Sequence, residues 1–443
     1  MIKQIHFGKL FFILALVVLL GGLLFGLLAA QVYIFPAFLK DTLDFSALRP
    51  LHVSLVVFWI IIGAAASVIS GLQILYPNTF SNNLAAVQFV LWIIAIGGIV
   101  LGYFNKEFGG REYWEFNPIW ALPIACSWFL FLINFLKSVL KIKKWPVYIW
   151  MWMTGIVFFL FTFFENYLWM FPYFRENFIT DMTIQWKVNG SLVGSWNQII
   201  YGTSFFLMDR ISGENKVGYS KLSFAMFFLG LFNLMFNWGH HIYTLPTESY
   251  IRYIGYIVSM TEWVFFIRII NDWKKSIQDI KSNYHFYPYR FIMAADFWIF
   301  VNMGQAILMS IPAINIFTHG THVTVAHAMG TTIGINTMIL FSACFIIFST
   351  KTISYLKPST SLNIVFWTIQ ISLLIFWLAL NIAGVKKGIW QVFNTDMPHN
   401  IMMAKLLPWF ITFNISGIIL MLSLAVLCLL IIFNYMKNIL LAK

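Results

Sequence analysis

The sequence has few charged residues and few cysteines. Of its 443 residues, 10% are Asp, Glu, Lys or Arg and 60% are hydrophobic, whereas soluble globular proteins have about 25% charged residues. This composition excludes a soluble protein and indicates a chain that crosses a lipid bilayer many times. The three cysteines, Cys126, Cys344 and Cys428, lie far apart in apolar segments and form no CxxC or CxxCH motif. A disulfide framework and a covalently attached c-type heme are therefore excluded.

A concentrated basic surface is also missing, although the net charge is +12. The Lys and Arg residues lie in short loops, so the sequence gives no indication of nucleic-acid binding. Of these 28 residues, 18 fall at the two termini and in every second loop. Because cytoplasmic loops carry an excess of Lys and Arg, this bias predicts that both termini are cytoplasmic. No linker or charge block divides the chain, and residues 1–443 are predicted to form a single transmembrane domain.

Long apolar runs account for most of the chain. A helix needs about 20 apolar residues to cross the hydrocarbon core of a bilayer. The sequence predicts twelve such helices, at residues 11–35, 50–76, 84–104, 119–140, 146–170, 188–208, 222–243, 249–271, 291–316, 320–349, 361–385 and 404–436. The first run is long and leads into further spans, which favours a retained helix over a cleaved signal peptide. The predicted fold class is an all-α integral membrane protein.

Few polar side chains fall within these spans, and most of them are histidines. His52 opens the second span, His240 and His241 close the seventh, Glu262 lies in the eighth and His327 in the tenth. With both termini inside, all five lie in the outer half of the membrane. Ionisable and metal-binding side chains are costly in hydrocarbon, so their convergence at one depth favours function. Neutral imidazoles suit heme iron, non-heme iron or copper.

The stretch "HGTHVTVAHAMGTTIGIN" carries three of the nine histidines. His327 and Met329 are two residues apart, which is about 200° around a helix. They face opposite sides, so each could give one axial ligand to a different heme. Met329 alone is weak evidence, because most of the 19 methionines are expected to fill gaps in the core. His319 and His322 precede the span and are expected near the membrane interface.

The motifs "RPLHVSLVVFW", "REYWEFNP", "GHH" and "THGTHVTVAHAM", with a Glu 21 residues after the second His of the pair, resemble a known family. The sequence is similar over essentially its whole length to the large catalytic subunit of bacterial nitric oxide reductase, in the heme–copper oxidase superfamily. The resemblance implies a twelve-helix bundle in the bacterial cytoplasmic membrane, with its active site toward the periplasm. It also implies reduction of nitric oxide to nitrous oxide. Because the chain lacks CxxCH, a membrane-anchored subunit with heme c or another cytochrome c donor would supply electrons.

The resemblance assigns a role to each intramembrane histidine. His52 matches a ligand of the low-spin heme b, with Met329 in the position of the opposite ligand. His327 matches the ligand of the high-spin heme b. His240 and His241 match two ligands of the non-heme iron, for which copper is the alternative metal.

The acidic residues are placed by the same likeness. Glu262 matches an acid beside the binuclear site, and Glu165 is a further catalytic candidate or a helix-packing group. Glu112 matches a glutamate of the calcium and heme-propionate region, so calcium is an additional candidate cofactor. Glu115 is the neighbour of Glu112, and Arg49 is a candidate propionate partner three residues before the first heme ligand.

Two departures from the family pattern affect the metal centres. Aligned on Trp196, the third iron-binding His of the family is replaced by Asn189, and a Glu that also reaches the iron is replaced by Val193. Asn189, Glu262 or Glu165 is then expected to complete the metal site. The second departure is Met329 in a position where the family has His. His/Met ligation raises the heme potential relative to His/His ligation.

These departures leave other functions open. Nitric oxide dismutases, which resemble the reductases but have Asn at an iron-ligand position, would form dinitrogen and oxygen without net electron input. An oxygen-reducing subunit is a further alternative, although the chain lacks the His-Pro-Glu-Val-Tyr motif of the proton-pumping A-type oxidases. A heme sensor or electron-transfer subunit without catalysis is the rival from a different class.

Overall fold

The computed structural model describes residues 6–258, 263–277, 285–348 and 359–440, with side chains described as far as residue 437. Glu262 lies outside the described residues. The described chain is almost entirely helical. The α-helices of its first half are α1 (Phe7–Gln31), α2 (Phe45–Leu75), α3 (Asn82–Phe104), α4 (Ala121–Val139), α5 (Val147–Glu165), α6 (Pro172–Arg175), α7 (Phe178–Ser212) and α8 (Lys221–Phe236).

The second half continues this pattern with shorter, interrupted helices. They are α9 (Ser249–Val258), α10 (Trp263–Ser276), α11 (Phe286–Trp298), α12 (Gly304–Ser310), α13 (Pro312–Thr318), α14 (His322–Met329), α15 (Met338–Phe348), α16 (Thr360–Phe393) and α17 (His399–Leu440). Two π-helical segments, Ile299–Met303 and Gly330–Thr337, join α11 to α12 and α14 to α15. Short 3-10 turns lie at Pro118–Trp120, Leu168–Met170 and Asn237–Ile242.

Several helices begin at a residue whose side chain satisfies the first free backbone amides. The Asp44 carboxylate accepts from the Ala47 N–H at the start of α2. Asn177 accepts from the Thr180 N–H at the start of α7. Such caps stabilise a helix end by about 1 kcal/mol and fix where the helix begins.

Eleven helical spans within the described ranges are long and apolar enough to cross a membrane. The sixth of the twelve predicted spans, residues 188–208, is also helical, but α7 is more polar than the others and does not meet this composition. The prediction of an all-helical membrane protein is confirmed. The twelfth crossing and the cytoplasmic position of the termini stay predictions.

A small β-hairpin interrupts the helices between α3 and α4, which the sequence does not predict. Strand β1 (Phe108–Arg111) pairs antiparallel with β2 (Trp114–Phe116). The turn residues of this hairpin are Glu112 and Tyr113, and Tyr113 has a positive φ of 71°. The motif "REYWEFNP" thus forms part of a hairpin, which carries its two acidic residues.

Helices α1 and α2 pack unusually closely at glycines of α1. A Cβ placed on Gly22 would lie 2.8 Å from a side-chain carbon of Val56, and one on Gly26 would lie 2.5 Å from Nδ1 of His52. Small residues allow the backbones of membrane helices to approach each other. Because Gly26 has no side chain, the imidazole of His52 can lie against the backbone of α1.

Candidate functional site

His240 and His241 lie on the 3-10 turn Asn237–Ile242, directly after α8. The centroids of their rings are 4.2 Å apart. The indole of Trp186 on α7 stacks on His241 with a centroid separation of 5.5 Å and an angle of 10°. Since the α-helix ends before the pair, adjacent imidazoles can reach one region that a regular helix would separate by about 100°.

Asn189 lies on α7 one turn after Trp186, on the same face of the helix. Its side chain is buried, with 8% exposure, and neither Oδ1 nor Nδ2 has a hydrogen-bond partner among the described residues. A Cβ on the next residue, Gly190, would lie 2.9 Å from Cβ of Trp238, so α7 closely approaches the histidine turn. A buried polar group without a partner costs about 1–3 kcal/mol. The amide therefore fits a ligand that is bound at this position.

His319 joins this group, which the sequence did not lead us to expect. Its ring lies 6.1 Å from that of Trp186, centroid to centroid. Its ring also interacts with the backbone of His241. The turn that makes this possible is at Gly320, whose φ of 68° lies in the left-handed region that favours glycine. A histidine followed by a helix-breaking glycine was the only signal in the sequence.

His322 faces a different part of the protein from His319. Its side chain is buried between Tyr33 and Phe410, whose ring centroids lie 5.7 Å and 5.1 Å from that of His322. Nδ1 of His322 has no hydrogen-bond partner within the described ranges. His322 therefore lies apart from the group that contains His319, and the expectation that both residues lie near the membrane interface stays a prediction.

His327 lies on α14, two residues before the end of that helix, where the π-helical segment begins. The ring is close enough to His240 and His241 for their charges to interact. Its Nδ1 is buried and has no hydrogen-bond partner in the described part of the chain. The structure therefore brings together His327 and the histidine pair, which the sequence placed at one depth.

The imidazole of His52 is held from one side by α1. Its Nδ1 lies 2.8 Å from the backbone carbonyl oxygen of Gly22. A proton on Nδ1 that is donated to a backbone carbonyl leaves Nε2 with the lone pair, which is the tautomer that a metal-binding histidine needs. His52 thus has the hydrogen bonding expected of an axial heme ligand.

Met329 lies at a depth similar to that of His52. Trp59 on α2 donates to Oγ1 of Thr337 at 2.9 Å, and a Cβ on Gly63 would lie 3.0 Å from a methyl carbon of Leu340. The second contact lies further along the chain than the first in both segments, α2 and residues 337–340. The two segments therefore run in the same direction. His52 precedes the first contact by seven residues and Met329 precedes it by eight, which is about two helical turns in each case. This arrangement supports the assignment of both residues to one heme, which stays a prediction.

Arg49, Glu112 and Glu115 form a compact ionic group near the N-terminal end of α2. The guanidinium of Arg49 lies 2.8 Å from Oε1 of Glu112 and 2.5 Å from Oε1 of Glu115. Burial raises the pKa of Glu115, and the charge of Arg49 opposes that shift. A groove of about 400 Å³ opens beside Arg49 and Glu115. The role of Arg49 as a propionate partner and the assignment of calcium to Glu112 both stay predictions.

Glu165 forms an ion pair with Lys187 at the end of α5. The ammonium group of Lys187 also lies 5.6 Å from the ring centroid of Phe161. In the described parts of the chain, no group of three His, Cys, Asp or Glu side chains is arranged to hold a metal ion. In this structure Glu165 therefore does not join His240 and His241 as a third ligand.

Comparisons with known proteins agree with this arrangement of helices. The family of cytochrome c and quinol oxidase polypeptide I matches residues 6–420. The chain belongs to this heme–copper oxidase family. A solved heme–copper terminal oxidase dimer has the same fold, with a TM-score of 0.74 over 96% of this chain and 83% of that chain at 11% identity.

Two relatives of this heme–copper oxidase differ in their named substrates. A nitric oxide reductase subunit of Stutzerimonas stutzeri is 25% identical over 430 residues, which cover 86% of this chain and 84% of the relative. Cytochrome c oxidase subunit 1 of Rhodobacter capsulatus is 24% identical over 399 residues, which cover 83% and 73%. The chain is therefore a multi-pass membrane oxidoreductase of the heme–copper oxidase superfamily.

Membership in this family implies hemes and a metal centre, and the residues present fit them. Imidazoles at His52, His327 and the His240–His241 pair are suitable donors for iron or copper. The unpaired amide of Asn189 and the unpaired Nδ1 of His327, both among described residues, are buried polar groups that a bound cofactor could satisfy.

Proposed function

We propose that this heme–copper oxidase reduces nitric oxide to nitrous oxide. The observation that carries the proposal is the pair of adjacent imidazoles, His240 and His241, which lies against Trp186 and within electrostatic range of His327. No tyrosine follows in α7 where the A-type oxidases have the Tyr of His-Pro-Glu-Val-Tyr. The similarity to a nitric oxide reductase subunit over most of the chain gives independent support.

The proposed cofactors are two b-type hemes and one non-heme iron or copper. His52 and Met329 would hold the low-spin heme, His327 the high-spin heme, and His240 with His241 the non-heme metal. When bound, the high-spin heme and the metal supply electrons and Lewis-acid sites for joining two nitric oxide molecules. The chain provides the placement of these groups at one depth between packed helices, which is the protein contribution to such a reaction.

Asn189 completes the metal site in this proposal. Its amide oxygen is a weaker neutral donor than the third imidazole of the related reductases. Asn189 lies on the helix face that carries Trp186, and Trp186 contacts His241, so the amide is directed toward the histidine turn. The chain would therefore bind the non-heme metal less tightly than a protein with three histidines.

Two protons and two electrons are needed for each nitrous oxide formed from two nitric oxide molecules. We place proton uptake on the outer side of the membrane, where most acidic residues lie. Glu165 is the proposed internal carboxyl, and its partner Lys187 is two residues before Asn189 on α7. Glu262 is the second proposed acid.

Electrons would come from a separate protein, because this sequence has no motif for a covalent heme c. The proposed donor is a membrane-anchored subunit with heme c or another cytochrome c. We place the chain in the bacterial cytoplasmic membrane with the active site toward the periplasm.

A second candidate function is nitric oxide dismutation to dinitrogen and oxygen. The specific observation that favours it is Asn189 in place of a third histidine, with both amide atoms unpaired in the described structure. Reduction of oxygen, suggested by the oxidase relatives, is a weaker alternative because the cross-linkable tyrosine of the A-type motif is missing.

Isotope-labelled nitric oxide given to the purified holoenzyme separates these functions. Nitrous oxide that forms only with a reduced electron donor supports the proposed reductase. Oxygen and dinitrogen formed without a donor support the dismutase and contradict the reductase. An optical and metal analysis that finds one low-spin heme and no second metal would contradict both.

A further inference from the structure

Asn302 lies where two π-helical segments meet. It is completely buried on Ile299–Met303 and contacts the turn that carries His327. Its Nδ2 donates to the backbone carbonyl of His327 at 3.0 Å and to Oγ1 of Thr331 at 2.8 Å. Its Oδ1 accepts a hydrogen bond from Nε1 of Trp377 on α16 at 3.1 Å. One amide thus connects the turn of the proposed heme ligand to a third helix.

The contact depends on a glycine in the ligand segment. A Cβ placed on Gly330 would lie 2.1 Å from Oδ1 of Asn302, so any side chain there would have to displace the amide. One turn further, a Cβ on Gly334 would lie 2.4 Å from Cγ of Trp298. The "GTTIG" motif therefore allows the two π-helical segments to lie against each other, as small residues do in membrane helices.

The backbone at His327 is at a change in helix type. The α-helix ends at Met329, and from Gly330 onward the bonding is of the π type, in which each N–H bonds the carbonyl five residues earlier. The N–H of Gly330 is shared between the carbonyls of Ala326 and His327. At such a junction the regular pattern of helix hydrogen bonds is interrupted and restrains the backbone less firmly. The hydrogen bond from Nδ2 of Asn302 comes from a different helix.

We infer that Asn302 is a positioning residue for the high-spin heme, acting through the backbone of His327. The hydrogen bond to the His327 carbonyl fixes the turn from which the imidazole projects, and Trp377 keeps the Asn302 amide oriented. Ligand geometry must be held within about 0.5 Å for a site to work, so such support has a direct effect on the heme. The inference rests on the proposed function only in taking His327 as the ligand of that heme.

Asn302→Leu in the full-length holoenzyme tests this role without using nitric oxide. The carbon monoxide difference spectrum of the reduced high-spin heme should shift, because the axial imidazole is no longer held in one direction. Transfer of that heme to apomyoglobin should become about fivefold faster, the factor that corresponds to one lost hydrogen bond. The low-spin heme spectrum in the same sample should stay unchanged.

A matched control comes from the next polar contact between the same helices. Gln305 donates to Oδ1 of Asn381 at 2.5 Å, and its side chain has no hydrogen bond to the ligand turn among the described residues. Gln305→Leu therefore removes a similar bond between helices and should leave both heme spectra unchanged. If it shifts the high-spin heme as much as Asn302→Leu does, the effect is general loosening and the inference is wrong.

Two milder variants keep the test decisive if Asn302→Leu does not assemble. Gly330→Ala pushes the Asn302 amide away, and Trp377→Phe removes the indole N–H that donates to Oδ1 of Asn302. Both should shift the high-spin spectrum in the direction of Asn302→Leu, and unchanged spectra would overturn the inference.

The outcomes also separate this inference from the proposed function. If the intact holoenzyme does not convert nitric oxide but Asn302→Leu gives the expected spectral shift, only the reductase is contradicted. A high-spin heme that survives in His327→Ala contradicts the inference and the ligand assignment together.

Discussion

The turn that carries His327 and the turn that carries His240 and His241 are held in different ways. Side chains of other helices donate to or accept from the first turn and the π-helical segment after it: Asn302 to Thr331, Trp59 to Thr337, and Asn336 to Asn197. The second turn is contacted by the stacked indole of Trp186, by α7 at Gly190 and by the ring of His319, which interacts with the backbone of His241.

Polar atoms near the two turns differ accordingly. All amide groups of Asn302 are used, although Nδ1 of His327 and Oδ1 of Asn336 near the first turn have no hydrogen-bond partner among the described residues. Near the second turn, both amide atoms of Asn189 and Oδ1 of Asn237 have no partner in the same part of the chain. A heme with a ligand on a helix needs that helix fixed before the heme binds. In the proposed site, a metal between the turn and α7 would complete the bonding of both.

The largest expected effect is at the packed turn. His240→Ala should remove the non-heme metal and lower turnover more than about 100-fold, because losing a direct ligand costs more than the 10- to 100-fold of an outer partner. Metal analysis and nitric oxide turnover measure this. The exposed His399→Ala is the control, and both hemes should stay in both variants. A full metal content in His240→Ala would show that the turn does not hold the metal.

The next effect is at the hydrogen-bonded turn. Met329→Leu should remove the sulfur ligand and convert the low-spin heme to a high-spin spectrum. Met329→His should restore a low-spin heme with a midpoint potential lower by more than about 59 mV, because His/His ligation gives a lower potential than His/Met. Optical redox titration measures both. Unchanged spectra in Met329→Leu would rule out Met329 as a ligand.

Filling the unsatisfied position should strengthen the packed turn. Asn189→His adds a third imidazole, and retention of the metal during dialysis against a chelator should rise by about tenfold. Asn189→Ala, which removes the amide, should lower retention. If all three proteins lose metal at the same rate, residue 189 is not a ligand and the comparison of the two turns must be revised.

The smallest effect is expected outside both turns, at the ionic group of Arg49. Glu112 is 34% exposed, so Glu112→Gln should change the free energy of unfolding by less than about 1 kcal/mol. At neutral pH Glu115→Gln should leave the free energy of unfolding unchanged or raise it, since the burial of Glu115 disfavours its charged form. Thermal unfolding in detergent measures the two variants. Loss of tightly bound calcium in Glu112→Gln alone would support Glu112 as a calcium ligand.

The pH dependence of the same group has a definite sign. Burial raises the pKa of Glu115, so the folded protein holds that proton to a higher pH than the unfolded chain does. The stability from this protonation is present at low pH and is lost as the pH rises through the raised pKa. Glu115→Gln should remove that part of the pH dependence of unfolding.

The sequence predicted the helical membrane fold because composition and run length determine it, and it indicated the family through motifs at fixed spacing. It did not predict the hairpin at Phe108–Phe116, since strands of four and three residues in a loop carry little periodicity. It did not predict that His319 lies beside Trp186 and His241, because the turn at Gly320 depends on contacts with distant parts of the chain.

Asn302 shows the same limit for the site. A single asparagine in a span is compatible with many kinds of helix packing, and its partners His327 and Trp377 lie 25 and 75 residues away. The spacing of Gly330 and Gly334 was visible in the sequence, but only the structure shows which side chains pack against these two glycines.

The polarity of α7 bears on how the chain is inserted into the membrane. This helix buries Asn189, Ser191, Ser195, Gln198, Thr203, Ser204 and Asp209. Polar side chains make insertion of a lone helix unfavourable. Its neighbour α5 is apolar, lies closely against it at Gly155 and donates from the Trp152 indole to Oγ1 of Thr203 at 3.2 Å. We expect α5 and α7 to leave the translocation channel as a pair, so that α7, which carries Asn189, enters the lipid together with its apolar partner.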